Sequence, residues 1–251
     1  IPARTEVGSR IRGMFVAAPG HVLVDADYSQ VELRLLAHMA GDEVMRQAFL
    51  SGEDFHTLTA AKVFHVDPSQ VTPQMRSSAK AVNFGIVYGI SAFSLAQDIG
   101  VSVAEAREYM ERYFDTYRGV RQYMEQVVET AHEQGYVETL MHRRRELPEL
   151  KSSNFNMRSF GERVALNMPI QGTAADVMKL AMVRVHDRLR REVPEAKLLL
   201  QVHDELTGEC PEAMAEQAAR LLTEEMEGVM QLSVPLVAEA HWGKNWLEAK
   251  G

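Results

Sequence analysis

From about Asp42 to Gln134 the sequence carries helical periodicity almost without pause, and the runs that read as β-strands lie only outside that stretch. A β-branched run, Val22-Leu23-Val24, follows the turn at Pro19-Gly20. The other strand-like runs are Lys197 to Gln201, Leu206 to Cys210, and VPLVAEAHW from Val234. Isolated strands are unstable in water, so runs far apart in the chain have to meet in one sheet. The expected fold is therefore α+β: an antiparallel sheet with flanking helices and an inserted all-helical subdomain.

Within the insert, breaks fall at Asp67-Pro68, Thr72-Pro73, Gly89, Gly100, Gly119 and Gly135, and Ser102 with Glu105 forms a capping box. A turn-rich stretch follows from Gly135 to Ser153. A long helix is expected from about Thr173 to Arg191, with Val177, Leu180, Ala181, Val185 and Leu189 as its buried stripe and Pro194 ending it. Pro211 opens another, to about Met230. The HDEL stretch, His203 to Leu206, lies at the tip of an expected hairpin.

The chain has 251 residues, enough to bury a sizeable core, and no apolar run approaches the ~18 residues of a membrane span. One cysteine, Cys210, excludes an internal disulfide and fits a reducing compartment. The N-terminus has neither the apolar core of a signal peptide nor an initiator Met, so a piece of a longer chain is expected. The net charge of −8 argues against a nucleic-acid partner as an average, yet arginines cluster locally at Arg4, Arg10 and Arg12, at Arg143 to Arg145, and at Arg184, Arg188, Arg190 and Arg191. The last group suits a helix C-terminus. For the triple run, a solvated face and a phosphate contact are equally good readings.

Three places concentrate chemistry. Asp25 and Asp27, in VLVDADYSQVELR, leave a strand end on one face because side chains alternate. Either alone is an ordinary helix N-cap. Asp204 and Glu205 follow the apolar LLLQVH, where adjacent carboxylates repel and cost several kcal/mol, roughly, unless something positive compensates. If the two strand ends are neighbours, Asp27 and Asp204 meet, and hard oxygen ligands with few His or Cys nearby favour Mg²⁺ or Mn²⁺ over zinc. In RSSAKAVNFGIVYG, Arg76, Lys80, Phe84 and Tyr88 recur every fourth residue and form one drifting helical stripe. A cation stripe is usually solvated and an aromatic stripe usually core. In succession they suit a polyphosphate beside a stacked base.

DYSQVELR at 27–34, RSSAKAVNFGIVYG at 76–89 and QVHDE at 201–205 resemble, in order, the three polymerase motifs of the family A DNA polymerases of bacteria. The likeness extends over nearly the whole chain, as their C-terminal palm and fingers part. It implies a right-hand polymerase fold lacking the thumb, with palm at 1–40 and 161–251 and fingers at 41–160. It also implies template-directed addition of deoxynucleotides to a primer 3′ end with release of pyrophosphate.

By the resemblance, Asp27, Asp204 and the Tyr28 carbonyl carry two Mg²⁺ ions, which Mn²⁺ can replace. Glu205 is an accessory catalytic acid, and Lys80 protonates the leaving pyrophosphate. Arg76, Lys80, Phe84, Tyr88 and Gln30 bind the nucleotide, and Glu32 with Tyr88 blocks a ribose 2′-hydroxyl. Phe84, lacking the hydroxyl some relatives have there, implies discrimination against dideoxynucleotides. Arg163, Asn167, Gln171, His203 and Arg4 contact primer-template, Arg163 and Gln171 along the minor groove.

Implied partners are primer-template DNA, deoxynucleoside triphosphates and the N-terminal part of the same polypeptide, with no membrane, in a bacterial cytoplasm beside the nucleoid. Other readings are a binding-only fragment, a single-subunit RNA polymerase, which Glu32 disfavours, and a metal-dependent nuclease or phosphatase, which would not need the Arg76 to Tyr88 stripe.

Overall fold

The computed structural model of the protein describes residue 1 and residues 5–250. In chain order its elements are α1 (Glu6–Arg12), β1 (His21–Tyr28), α2 (Val31–Ala40), α3 (Glu43–Leu50), α4 (Phe55–Phe64), α5 (Pro73–Val87), α6 (Ala92–Ile99), α7 (Val103–Thr116), α8 (Arg118–Gln134), β2 (Tyr136–Glu138), β3 (Arg144–Glu146), α9 (Phe155–Glu192), β4 (Lys197–Val202), β5 (Glu205–Pro211), α10 (Ala215–Glu227) and β6 (Ala238–Gly243). The chain divides into two compact units. A sheet unit comprises residues 1–31, 174–231 and 236–251, and a helical unit comprises 32–173 and 232–235.

In the sheet unit the strand order is β4-β5-β1-β6, and every pairing is antiparallel. The sheet expected from distant runs is thus formed, with β1 between two partners from the far end of the chain. Five consecutive residues of β1, Val22 to Ala26, are buried, so both faces of the strand are covered. On one face α10 packs across β1 and β6, and the buried Tyr28 hydroxyl donates to the Met226 carbonyl at 2.6 Å. On the other, Leu23 clusters with Trp246 and Ala249.

The helical unit contains α2 to α8, the β2–β3 hairpin and the first half of α9. Asp42, Asp54, Thr72, Ser91 and Ser102 each cap a helix by accepting from the backbone N–H three residues on. Its core is built on Phe55, Tyr113 and Tyr117, with Tyr117 accepting or donating to Thr59 Oγ1 at 3.0 Å.

Two expectations need correction. The long helix begins at Phe155, not near Thr173, and Pro169 lies inside it. Gly161 and Gly172, both inside this helix, serve as contact points. A Cβ on Gly161 would come within 2.9 Å of the Leu150 side chain, and one on Gly172 within 2.6 Å of Thr139. The turn-rich stretch, meanwhile, contains the β2–β3 hairpin, held by Arg144 to Glu138 at 2.5 Å.

Candidate active site

The acidic cluster is assembled by strand pairing. In the β1–β5 register Asp27 stands opposite Glu205, and the Tyr28 N–H donates to the Asp204 carbonyl at 3.1 Å. Residues 203 and 204 form the two-residue turn between β4 and β5. His203 takes a left-handed φ of 54°, as such tight hairpins demand, and its carbonyl accepts from Gln201 Nε2 at 2.7 Å. The turn therefore fixes Asp204 beside the end of β1, where Asp27 sits.

Asp25, two residues before Asp27 on the same face, is 2% exposed and accepts from Thr207 Oγ1 at 2.7 Å. Burial, only partly offset by Thr207, pushes its carboxyl well above the usual carboxylate range. Glu205 is also buried, but hydrogen bonds from Lys250 and from Trp246 Nε1 (2.9 Å) outweigh that burial and hold it below the usual range. Lys250, whose ammonium is held charged by Glu205 and Asp27 despite burial, lies 2.5 Å from Glu205 Oε2, 3.0 Å from Asp27 Oδ2 and 3.7 Å from Asp25 Oδ2. Among the described residues no three His, Cys, Asp or Glu side chains are arranged to hold a metal ion. Asp27 Oδ1 and Gln30 Oε1, however, are buried atoms with no hydrogen-bond partner.

In the helical unit, α5 separates its faces as the four-residue spacing predicts. Ala79, Val82, Asn83 and Ile86 are buried, whereas Arg76 and Tyr88 are exposed and Lys80 and Phe84 half-buried. Arg76 makes a bidentate pair with Asp54, Nε to Oδ2 at 2.6 Å and Nη2 to Oδ1 at 3.0 Å, and the guanidinium overcomes partial burial to hold Asp54 well below the carboxylate range. Tyr88 ends the helix and its hydroxyl donates to Glu32 Oε2 at 2.7 Å. Gly89 follows at φ +65°, a conformation that favours glycine. Gly85 leaves room for Ile90, whose Cγ2 would lie 2.6 Å from an added Cβ.

Two recesses on this unit share Tyr88 and Arg163. One, of about 480 Å³, is lined by Phe84, Gly85, Tyr88 and Arg163 among others. The second, of about 410 Å³, is lined by Tyr88, Arg145, Phe160, Arg163, Val164, Asn167, Met168, Gln171 and Gly172. Arg163, Asn167 and Gln171, four apart on α9, line one groove together with Arg145. Arg144 is taken up by Glu138 and by the Tyr136 ring 4.4 Å away, so the triple arginine run divides between structure and groove. Arg4 lies outside the described residues.

Residues 1–248 match the family model of DNA polymerase family A. The chain belongs to this family. It is 52% identical over its whole length to DNA polymerase I of Bacillus caldotenax and 51% to the thermostable DNA polymerase I of Thermus filiformis, while spanning 29% and 30% of those proteins. Among solved structures, the POL domain of Pol1 from M. smegmatis, in complex with DNA primer-template and dNTP, matches all of the chain and 44% of its own. The identity there is 44% and the TM-score 0.95. No helix among the described residues is long and apolar enough to cross a membrane.

Three further side chains, Asp54, His56 and Lys250, lie outside the three motifs. Asp54 reads in sequence as an N-cap, which it is, but it also grips Arg76. Lys250 has no local signal at all. His56 sits in an apolar helix, 3% exposed, with Nδ1 2.9 Å from Asn83 Nδ2 and its ring 5.8 Å from that of Phe84. Burial, aided by Lys80 and Arg76 and opposed by Asp54, lowers its imidazole to about 4 from 6.5. The unfolded chain therefore takes up a proton near pH 6.5 that the folded one refuses until about 4. The stability tied to His56 is complete above pH 6.5 and is lost as pH falls towards 4, by about 3 kcal/mol at most. Urea unfolding from neutral pH down to about 4.5 should show a steeper loss in the wild type than in His56→Gln. Equal slopes would refute a neutral buried imidazole.

Proposed function

We propose that this chain is the catalytic palm and fingers of a template-directed DNA polymerase. It adds deoxynucleotides to a primer 3′ end and releases pyrophosphate. The sheet unit corresponds to the palm and the helical unit to the fingers. The observation that carries the reading is the β1–β5 register, which sets Asp27 against Glu205 with Asp204 next to it.

An acidic strand end with an unpartnered, buried Asp27 Oδ1 suits a hard divalent cation. Asp27, Asp204 and the Tyr28 carbonyl would hold two Mg²⁺ ions, which Mn²⁺ can replace. Bound there, such ions would supply positive charge to neutralise the triphosphate and to acidify the primer 3′-hydroxyl. Glu205, fixed by Trp246, completes the acidic end of the sheet, and His203 and Gln30 flank it.

Arg76 offers a planar fork to the phosphates, and Lys80, one turn further, hands a proton to the pyrophosphate as it leaves. Phe84 stacks beside the sugar and base, and Tyr88 stands at the template side. Arg163, Asn167 and Gln171 line the groove that takes primer-template, reading minor-groove acceptors that every correct pair presents.

The Tyr88–Glu32 hydrogen bond holds a carboxylate and a ring where a ribose 2′-hydroxyl would need space. Glu32→Ala should raise ribonucleotide incorporation relative to deoxynucleotide by about ten- to a hundredfold, since a steric and polar block of about 1.4–3 kcal/mol is removed. An unchanged ratio in single-nucleotide competition assays would overturn that role.

The reading as a whole is tested by extension of a labelled primer-template at low salt with Mg²⁺, one deoxynucleotide at a time. Template-matched addition supports it. Cleavage of the primer without addition would favour a nuclease. A second reading rests on the chain spanning 29% of its relatives: a fragment that holds triphosphate but not primer. It would bind nucleotide in equilibrium titration and fail to extend.

A further inference from the structure

The segment after β6 folds back onto the acidic end of the sheet. Trp246 and Ala249 are buried against Leu23, and Trp246 Nε1 donates to Glu205 Oε1. Glu248 fastens the turn by accepting from the Lys244 N–H at 2.9 Å and from Asn245 Nδ2 at 2.7 Å. A 3₁₀ turn at Glu248–Lys250 then carries the ammonium of Lys250 among three carboxylates. Asp27 Oδ2, 3.0 Å from that ammonium, belongs to a carboxylate that the proposed function gives to the metal.

We propose that Lys250 is a built-in counter-cation of the active site, one that stands in for the divalent ion in the metal-free protein and yields Asp27 to it on loading. The inference rests on Asp27 and Asp204 being the metal ligands. Its physical basis is competition. Carboxylates packed this closely repel one another, so the metal-free fold needs a positive charge among them. The same charge, a few ångströms from the incoming ion, opposes binding. Lys250 is tethered by a packed turn, so it stays near the cluster after Asp27 is released and remains paired with Glu205. It therefore acts as a positioning residue that sets how much divalent ion is needed to fill the site, with no bond made or broken.

The test is Mn²⁺ binding followed by electron paramagnetic resonance of the free ion, without DNA or nucleotide, in the wild type, Lys250→Gln, Lys250→Arg and Asp204→Ala. Lys250→Gln should bind Mn²⁺ about tenfold or more tightly, by removal of a like charge at short range, and Lys250→Arg should restore most of the wild-type Kd. Melting in chelator should be lower for Lys250→Gln than for the wild type, with the gap closing as Mn²⁺ is added. A lysine that merely braced the fold would give the opposite sign, weaker binding in Lys250→Gln. That result, or an unchanged Kd, overturns the inference. If Asp204→Ala binds Mn²⁺ as well as the wild type does, the metal-ligand reading itself falls and this inference with it. Loss of binding in Asp204→Ala with no change in Lys250→Gln removes the inference alone.

Discussion

Asp204→Ala is expected to lower single-nucleotide extension by about a thousandfold or more while leaving the fold intact. Asp204 lies in a two-residue turn held to β1 by its backbone carbonyl, which accepts from the Tyr28 N–H at 3.1 Å. That backbone contact survives the substitution. The loss falls on the transition state, where the developing charge of a transferring phosphoryl group needs a fixed cation and the cation needs its ligands. A loss of about 4 kcal/mol there is a thousandfold in rate. Rapid-quench measurement with saturating nucleotide separates the cases. A fall in the rate constant with unchanged unfolding midpoint is the expected outcome, and extension within about tenfold of wild type would remove Asp204 from the reaction.

Lys80→Ala is expected to lower the rate constant for addition by about a hundredfold to ten-thousandfold, the range of a positioned proton donor. Its neighbour on the stripe should behave differently. Arg76 is held by Asp54 through two hydrogen bonds and offers charge and geometry to the phosphates. Its loss should raise KM for the nucleotide more than it lowers kcat. Lys80, one turn nearer the aromatic half of the stripe, should show the reverse split. The pair of variants is the measurement: if Lys80→Ala and Arg76→Ala shift the same parameter by the same factor, Lys80 is a binding charge and not a proton donor.

The sheet was readable because its strands are short, strongly apolar and confined to the two ends of the sequence. Pairing them was the only way to bury Val22, Val24 and Leu206 together. The acidic end followed from that pairing, and the α5 stripe from a four-residue spacing that needs no tertiary knowledge. Other features depend on contacts that sequence spacing does not encode. Helix α9 runs on through Pro169 and through Gly161 and Gly172, whose missing side chains make room for Leu150 and Thr139. Gly85 faces Ile90, five residues on, because the chain doubles back after Gly89. His56 takes its hydrogen-bond partner Asn83, and Lys250 its partners Asp27 and Glu205, from distant segments.

The position of β1 in the middle of the sheet also bears on synthesis. Thr207 and its partner Asp25 are 182 positions apart, so when the ribosome has made β1 neither neighbouring strand exists. At about 5–20 residues per second the strand waits roughly 10–40 seconds, with both edges open and one face, Val22, Val24, Ala26 and Tyr28, uncovered. The helical unit, whose contacts are mostly local, can form in that interval. A newborn chain thus passes through a stage in which one half is structured while the other exposes a sticky ribbon, and that stage is where chaperone binding or aggregation should concentrate.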